Sequence, residues 1–269
     1  MIVDRGLPTL NLNNAADASR ANVAWGETDL SLFDGDDFTV PSGSWRIDTI
    51  RMWFVGYGAD NDANLTDDTF LGDQSFGNLS LYVGAVGGPL NRVSQASFAT
   101  PGSDATSNPN VVATRVQYNG GVGSELEFDY GNAGPAGSHL TIVQLEFKNL
   151  NLYFAGGDQV QFGMQTDGDY TLSHASNADL SGSPQDQADD LYSMFKLSEG
   201  PATATFVKTV DSNVTGWDKS SDINVQVFAT PVATSKNQCM KGGWQALFRA
   251  NGTPFKNQGD CIHYVNTGK

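Results

Sequence analysis

The sequence predicts an all-β protein, a two-sheet β-sandwich of jelly-roll type with a small disulfide-stapled C-terminal appendage. Three observations predict it. Thirty Gly and ten Pro stand among dense Asn, Asp, Ser and Thr in a chain of 269 residues, the make-up of a turn-rich protein. Short apolar stretches with period-two alternation recur throughout, and no helix-period segment of useful length precedes residue 240. The only two cysteines, Cys239 and Cys261, both fall in the last 31 residues, which fits one disulfide formed in an oxidising compartment.

Taken in order, residues 5–25 are polar and Asn-rich and are expected to wrap the surface until Trp25 anchors them. Asp34-Gly35-Asp36-Asp37 and Pro41-Ser42-Gly43 offer turn chemistry on either side of Phe38-Thr39-Val40. Ser44 to Tyr57 then supplies the central strand. Trp45 and Ile47, then Ile50, Met52 and Phe54, alternate with their neighbours, and the apolar phase slips by one residue at Asp48-Thr49, as a β-bulge requires. Beyond the slip both faces carry bulk, so this strand belongs in the middle of a sheet.

Asp60 to Asp73 is an acidic loop. Strands are expected at Leu79–Val86, Val111–Tyr118, Glu125–Tyr130, His139–Phe147, Leu150–Phe154 and Gln159–Met164, with Gly156-Gly157-Asp158 as a hairpin turn. Thr166 to Asp190 reads as the largest loop. Leu191–Leu197, Thr203–Val210 and Ile223–Ala229 complete about ten to twelve strands. Residues 1–229 thus form the sandwich domain, 230–235 a linker, and 236–269 a small Cys-bridged module.

That module holds Lys236, Lys241, Arg249, Lys256 and Lys269 against Asp260 alone, so it carries +4 and leaves −19 for the body out of a total of −15. Trp244, Leu247 and Phe248 share one face of an expected two-turn helix between Gly242-Gly243 and Asn251-Gly252. So small a unit lacks a sufficient core, and a Cys239–Cys261 bridge closing about 23 residues contributes roughly 3 kcal/mol.

The acidic balance argues against nucleic acid and anionic membrane surfaces as partners. No apolar run approaches the roughly 20 residues of a membrane span, so membrane insertion is not expected. The opening MIVDRGLP lacks the basic and apolar regions of a signal peptide; the expectation is a mature secreted protein whose signal was replaced by a start Met.

The tail CMKGGWQALF…FKNQGDCIHYVNTG resembles the Cys-x-x-Gly-Gly-Trp…Phe-Lys-Asn-Gln-Gly-x-Cys ending of secreted bacterial β-sandwich proteins of unassigned function. The body segments DRGLPTLNLNNAA and DDF…W-x-I-x-x-I-x-x-W are similar to the same proteins. The resemblance implies an extracellular bacterial location and a sandwich fold. It implies no activity.

Two acidic groups carry candidate chemistry. Asp60, Asp62, Asn64, Thr66 and Asp68 set oxygen donors at alternate positions, and Ca2+ takes six to eight hard oxygens, about 2.3–2.6 Å away. Leu65 stands where an EF-hand has Gly, so the alternative is a solvated acidic loop. Asp34, Asp36, Asp37, Asp167 and Asp169 are further Ca2+ candidates. Glu125, Glu127 and Asp129 lie on one strand face, successive ones about 6.8 Å apart. Sandwich glycosidases use such carboxylate rows, but the outer wet face of a strand carries them equally well.

His139, His174 and His263 are scattered, and no zinc-protease helix motif, nucleophile elbow or P-loop is present. Trp25, Trp53, Tyr57, Tyr82, Tyr118, Tyr153, Tyr170, Tyr192 and Trp217 exceed what the inner faces need, and Trp or Tyr beside Asp and Asn is what a sugar site uses. The expected function is therefore a secreted or cell-surface, adhesion-type protein binding a polysaccharide or cell-surface glycan without catalysis. A glycoside hydrolase or polysaccharide lyase using strand carboxylates is one alternative. The other is a structural subunit of an extracellular fibre or surface layer, self-associating through an edge strand.

Overall fold

The computed structural model describes residues 1–5, 32–56, 78–98, 103–115, 126–127, 139–165, 170–172, 174–175, 193–197, 203–207, 222–223 and 225–269. Sixteen strands are present among them. The first five are β1 (Val3–Asp4), β2 (Leu32–Thr39), β3 (Ser44–Gly56), β4 (Asn78–Ala85) and β5 (Leu90–Ser97). Then come β6 (Val111–Arg115), β7 (Leu126–Glu127), β8 (His139–Phe147), β9 (Leu152–Ala155) and β10 (Gln159–Gln165). The last six are β11 (Tyr170–Leu172), β12 (His174–Ala175), β13 (Ser193–Leu197), β14 (Thr203–Val207), β15 (Asp222–Ile223) and β16 (Val225–Pro231).

Two antiparallel sheets organise them. The first has the order β1-β16-β3-β8-β6, with β9 and β11 also pairing along β3 and β7 along β8. The second runs β10-β2-β13-β14-β5-β4 and closes, because β4 pairs back onto β10. A short β12–β15 pair stands apart.

Strand β3 is the hub, pairing with β16, β8, β9 and β11. The expected bulge is there. Phe228 of β16 faces Thr49 and Ala229 faces Ile47, so Asp48 is the extra residue on β3. Before the bulge Ile47, and after it Ile50 and Met52, enter the core. Trp53 points to the opposite face and is also fully buried, so β3 is covered on both sides at that residue.

The core lies between the sheets. Ile50, Leu145, Phe147 and Val227 from the first pack with Phe38, Leu81, Val160 and Phe162 from the second, each worth about 1.5–3 kcal/mol on full burial. Phe38 and Phe162 meet with ring centroids 5.9 Å apart. At the edge, Arg5 bridges the sheets from behind β1 to the Asp36 carboxylate of β2, Nη1–Oδ2 2.7 Å, and its Nη2 donates to the Asp37 carbonyl.

Four local expectations are corrected. Asp34-Gly35-Asp36-Asp37 is strand, not turn: β2 is paired on both sides and Arg5 neutralises Asp36 within it. Gly156-Gly157 is a tight turn but not a hairpin, since β9 joins the first sheet and β10 the second. It is held instead against Pro41–Gly43, with Gly156 N–H donating to the Gly43 carbonyl and Gly157 N–H to that of Val40. The stretch read as the largest loop contains β11 and β12. Strand β5 was not foreseen, because its alternation of Leu90, Val93 and Ala96 is interrupted by a second bulge opposite Leu81 and Tyr82.

The tail also differs in detail. β16 pairs through Pro231, two residues into the expected linker, and Val232 N–H continues onto the Ser44 carbonyl. The helix expected over Trp244–Phe248 is replaced by a kinked 3-10 turn, Met240–Ala246, with Lys241 and Gly242 at φ 53° and 86°. Leu247 is extended, and Phe248 exchanges backbone hydrogen bonds with Pro231 and Ala233 instead. Helices stand at Lys236–Cys239 and Gln258–Thr267. The second was not foreseen; Asn257 accepts from the Asp260 N–H at its start, and Gly268 closes it at φ 73°. Cys239 and Cys261 form the expected disulfide, fully buried with Ala233 and Phe255.

Candidate functional site

Alternation decides which side chains the first sheet offers to its outer face. With Ile50 and Met52 turned inward, Arg51 turns outward, and so do its cross-strand partners Gln226 and Glu146. They form one continuous row. Gln226 Nε2 donates to Asp4 Oδ1 at 3.0 Å, Arg51 Nη1 to Gln226 Oε1 at 2.7 Å, and Arg51 Nε to Glu146 Oε1 at 2.9 Å. Lys148 Nζ closes the row on Glu146 Oε2 at 2.8 Å. The Arg51 guanidinium also lies over the Phe228 ring, 4.9 Å from its centroid. Burial works to raise the Glu146 carboxyl, but hydrogen bonds from Lys148 and Arg51, with their charges, outweigh it and hold it below the usual carboxylate range.

At the bulged end of β3 the same face carries a second group. Arg46 pairs with Asp48, Nε–Oδ1 2.7 Å, and Thr230 Oγ1 donates to Asp48 Oδ2 at 2.5 Å. Tyr153 stands opposite Arg46 on β9 and is 51% exposed. Its hydroxyl donates to the carbonyl of Ala250 in the C-terminal tail, and Arg46 Nη1 donates to the same carbonyl at 3.3 Å. Tyr153 is therefore about half exposed, with its hydroxyl against the tail. Two residues before it along the chain, Asn151 sits at φ 54°, with Nδ2 donating to the Asn149 carbonyl at 2.8 Å.

Asp48 and Glu146 are each held by cations, and Asp4 by the Gln226 amide. What the face presents is an anchored, half-exposed tyrosine with a guanidinium opposite it.

The residues named from sequence fare differently. Asp60, Asp62, Asn64, Thr66 and Asp68 lie outside the described residues, as do Glu125 and Asp129, and Asp167 and Asp169. Glu127 is in β7, paired across from His139. Asp36 is consumed by Arg5, so it is a structural carboxylate. Among the described residues no three His, Cys, Asp or Glu side chains are grouped to hold a metal.

Of the aromatics proposed for sugar binding, Trp53 and Tyr82 are interior at 0% and 1% exposure, and burial pushes the Tyr82 phenol up against the opposing pull of Arg92. Tyr153 is exposed. Trp25, Tyr57, Tyr118, Tyr192 and Trp217 lie outside the described residues, and Tyr170 is in β11. His263 is exposed on the last helix beside Thr267. Sequence reasoning missed Arg51, Glu146 and Gln226. Their one signal was an arginine on the outer phase of a central strand, which needs a carboxylate opposite it.

No helix among the described residues is long and apolar enough to cross a membrane. No protein family matches the sequence, and no curated protein or solved structure shows significant similarity to it.

Proposed function

We propose that this chain is a secreted or cell-surface glycan-binding protein, a jelly-roll-like sandwich whose sugar platform is built around Tyr153. The observation that carries the reading is the half-exposed Tyr153 with its hydroxyl tied down. A sugar ring presents an apolar C–H face and a rim of hydroxyls. An aromatic ring of fixed orientation receives the face, and neighbouring charged and amide groups receive the rim. Arg46 supplies such a group opposite Tyr153, with Asp48 paired to it and Asn151 two residues away along the chain. Little side-chain freedom is left in the ring to lose on binding, which favours affinity. The buried Cys239–Cys261 disulfide supports an oxidising, extracellular setting.

The test is a glycan array probed with wild-type protein and Tyr153→Ala, followed by calorimetry on the glycans retained, with a reducing-sugar assay alongside. Binding to at least one polysaccharide class, weakened about tenfold by the substitution, is the expected result; tenfold is about 1.4 kcal/mol. Wild-type binding that survives Tyr153→Ala unchanged moves the site elsewhere. Release of reducing ends replaces the binding reading with the hydrolase.

A further inference from the structure

The geometry points to Tyr264 as a positioning residue for the Tyr153 site, so that the tail is one wall of that site; this rests on the glycan-binding reading. The connection runs through Ala250. Its carbonyl accepts from Tyr153 and Arg46 of the first sheet, while its N–H donates to the Tyr264 hydroxyl at 2.8 Å. Ala250 is thus gripped by the body on one side and by the last helix on the other.

Both grips are backed by rigid supports. Tyr264 lies one helical turn beyond Cys261, whose bond to Cys239 fixes the helix. Its ring packs on Phe255 with centroids 5.4 Å apart, and the Arg249 guanidinium lies 4.8 Å from the Phe255 centroid and 5.9 Å from that of Tyr264. Arg249 is itself held by Asp260 at 2.6 Å and by the Pro254 carbonyl at 2.8 Å. The turn holding Ala250 closes by Gly252 N–H to the Arg249 carbonyl and Arg249 N–H to that of Thr253. Gly252, at φ 79°, presses so close to the Arg46 guanidinium that a Cβ there would collide with it. The Arg46 end can swing aside, but the left-handed backbone at φ 79° favours glycine at this position.

A tyrosine whose sole task were packing would need its ring and not its hydroxyl. Here the hydroxyl is spent on the backbone of the residue that orients Tyr153. Loss of that one bond frees Ala250 to shift, and Tyr153 and Arg46 shift with it.

The experiment labels the intact protein with 3-fluorotyrosine and follows the Tyr153 19F resonance, assigned by its absence in Tyr153→Phe. Tyr264→Phe keeps the ring and its packing; it is expected to move or broaden the Tyr153 signal with the disulfide intact and the melting temperature nearly unchanged. Gly252→Ala is expected to perturb the same signal from the other side. Cellotetraose, chitotetraose and xylotetraose are then titrated into each protein, with a two- to tenfold weakening, roughly the worth of one hydrogen bond, expected for Tyr264→Phe.

A Tyr153 resonance untouched by Tyr264→Phe overturns the inference whatever Gly252→Ala does, as does a shifted resonance with unchanged affinity. If wild type binds none of the three while the resonance still moves, the positioning contact stands and this sugar class falls.

Discussion

Arg5 and Asp36 show how much a single pair decides. Their side chains are 1% and 2% exposed, and the pair ties the residue following β1 to the middle of β2. Asp36 uses its second oxygen on the Asp37 N–H at 2.7 Å, so the carboxylate is satisfied on both sides. Removing one partner strands the other as a buried charge, which costs about 3–5 kcal/mol. Arg5→Met and Asp36→Leu are each expected to lower the urea midpoint accordingly. The double variant is expected to recover much of the loss, because it leaves no charge behind. Single variants with unchanged midpoints would show that the pair is not buried in solution. By contrast Asp260, held below the usual range first by the Lys256 N–H and then by Arg249, sits at the surface of the tail and orders it locally.

At the scale of elements, the passage from β9 to β10 carries the chain from one sheet to the other, and it does so in a turn that tolerates no side chain. A Cβ on Gly156 would stand 2.6 Å from Gly43 N and Ser42 Cα and 2.8 Å from the Pro41 carbonyl oxygen. All three are backbone, so nothing can swing aside. Gly156→Ala is expected to destabilise by about 1–3 kcal/mol, the cost of forced overpacking, and to lower the denaturation midpoint without changing its slope. The neighbouring Gly157→Ala meets no atom but leaves a left-handed residue at φ 89°, and is expected to cost about 1 kcal/mol. Equal effects at the two positions would mean that backbone strain and not collision governs the turn. The bulge at Asp48 works with this turn: it re-aims β3 so that Ser44–Ile47 can pair with β9 while Ile50–Gly56 pairs with β8.

For the whole molecule the governing quantity is charge. The body carries −19 and the tail +4, and self-repulsion of that size weakens the compact state. A divalent cation bound only by the native form stabilises it by about 2.7 kcal/mol at a hundredfold excess over Kd. Millimolar calcium is therefore expected to raise the melting temperature by roughly 5–10 °C, with a chelator reversing it and magnesium doing less. Asp62→Ala is expected to abolish the calcium shift and leave the metal-free melting point in place. Melting curves identical in excess chelator and in millimolar calcium would remove Asp60, Asp62, Asn64, Thr66 and Asp68 from consideration as ligands.

The sequence by itself determined what depends on near neighbours. The period-two pattern of residues 44–57 marked β3, and the slipped phase located its bulge at Asp48. Pro41-Ser42-Gly43 marked a turn that does occur, with Gly43 at φ 120°, and two cysteines in one small segment marked a bond. Tertiary structure alone decided which strands share a sheet and what covers each face. Arg5 lies 31 residues from the Asp36 that it turns from a turn former into a strand residue. Arg51 reaches Glu146 and Gln226 across 95 and 175 residues. Trp53, Tyr82 and Tyr153 look alike in their local surroundings, yet two are interior and one is open. Side-chain alternation is a property of two or three consecutive residues, whereas burial of a sheet's second face depends on partners that no local pattern encodes.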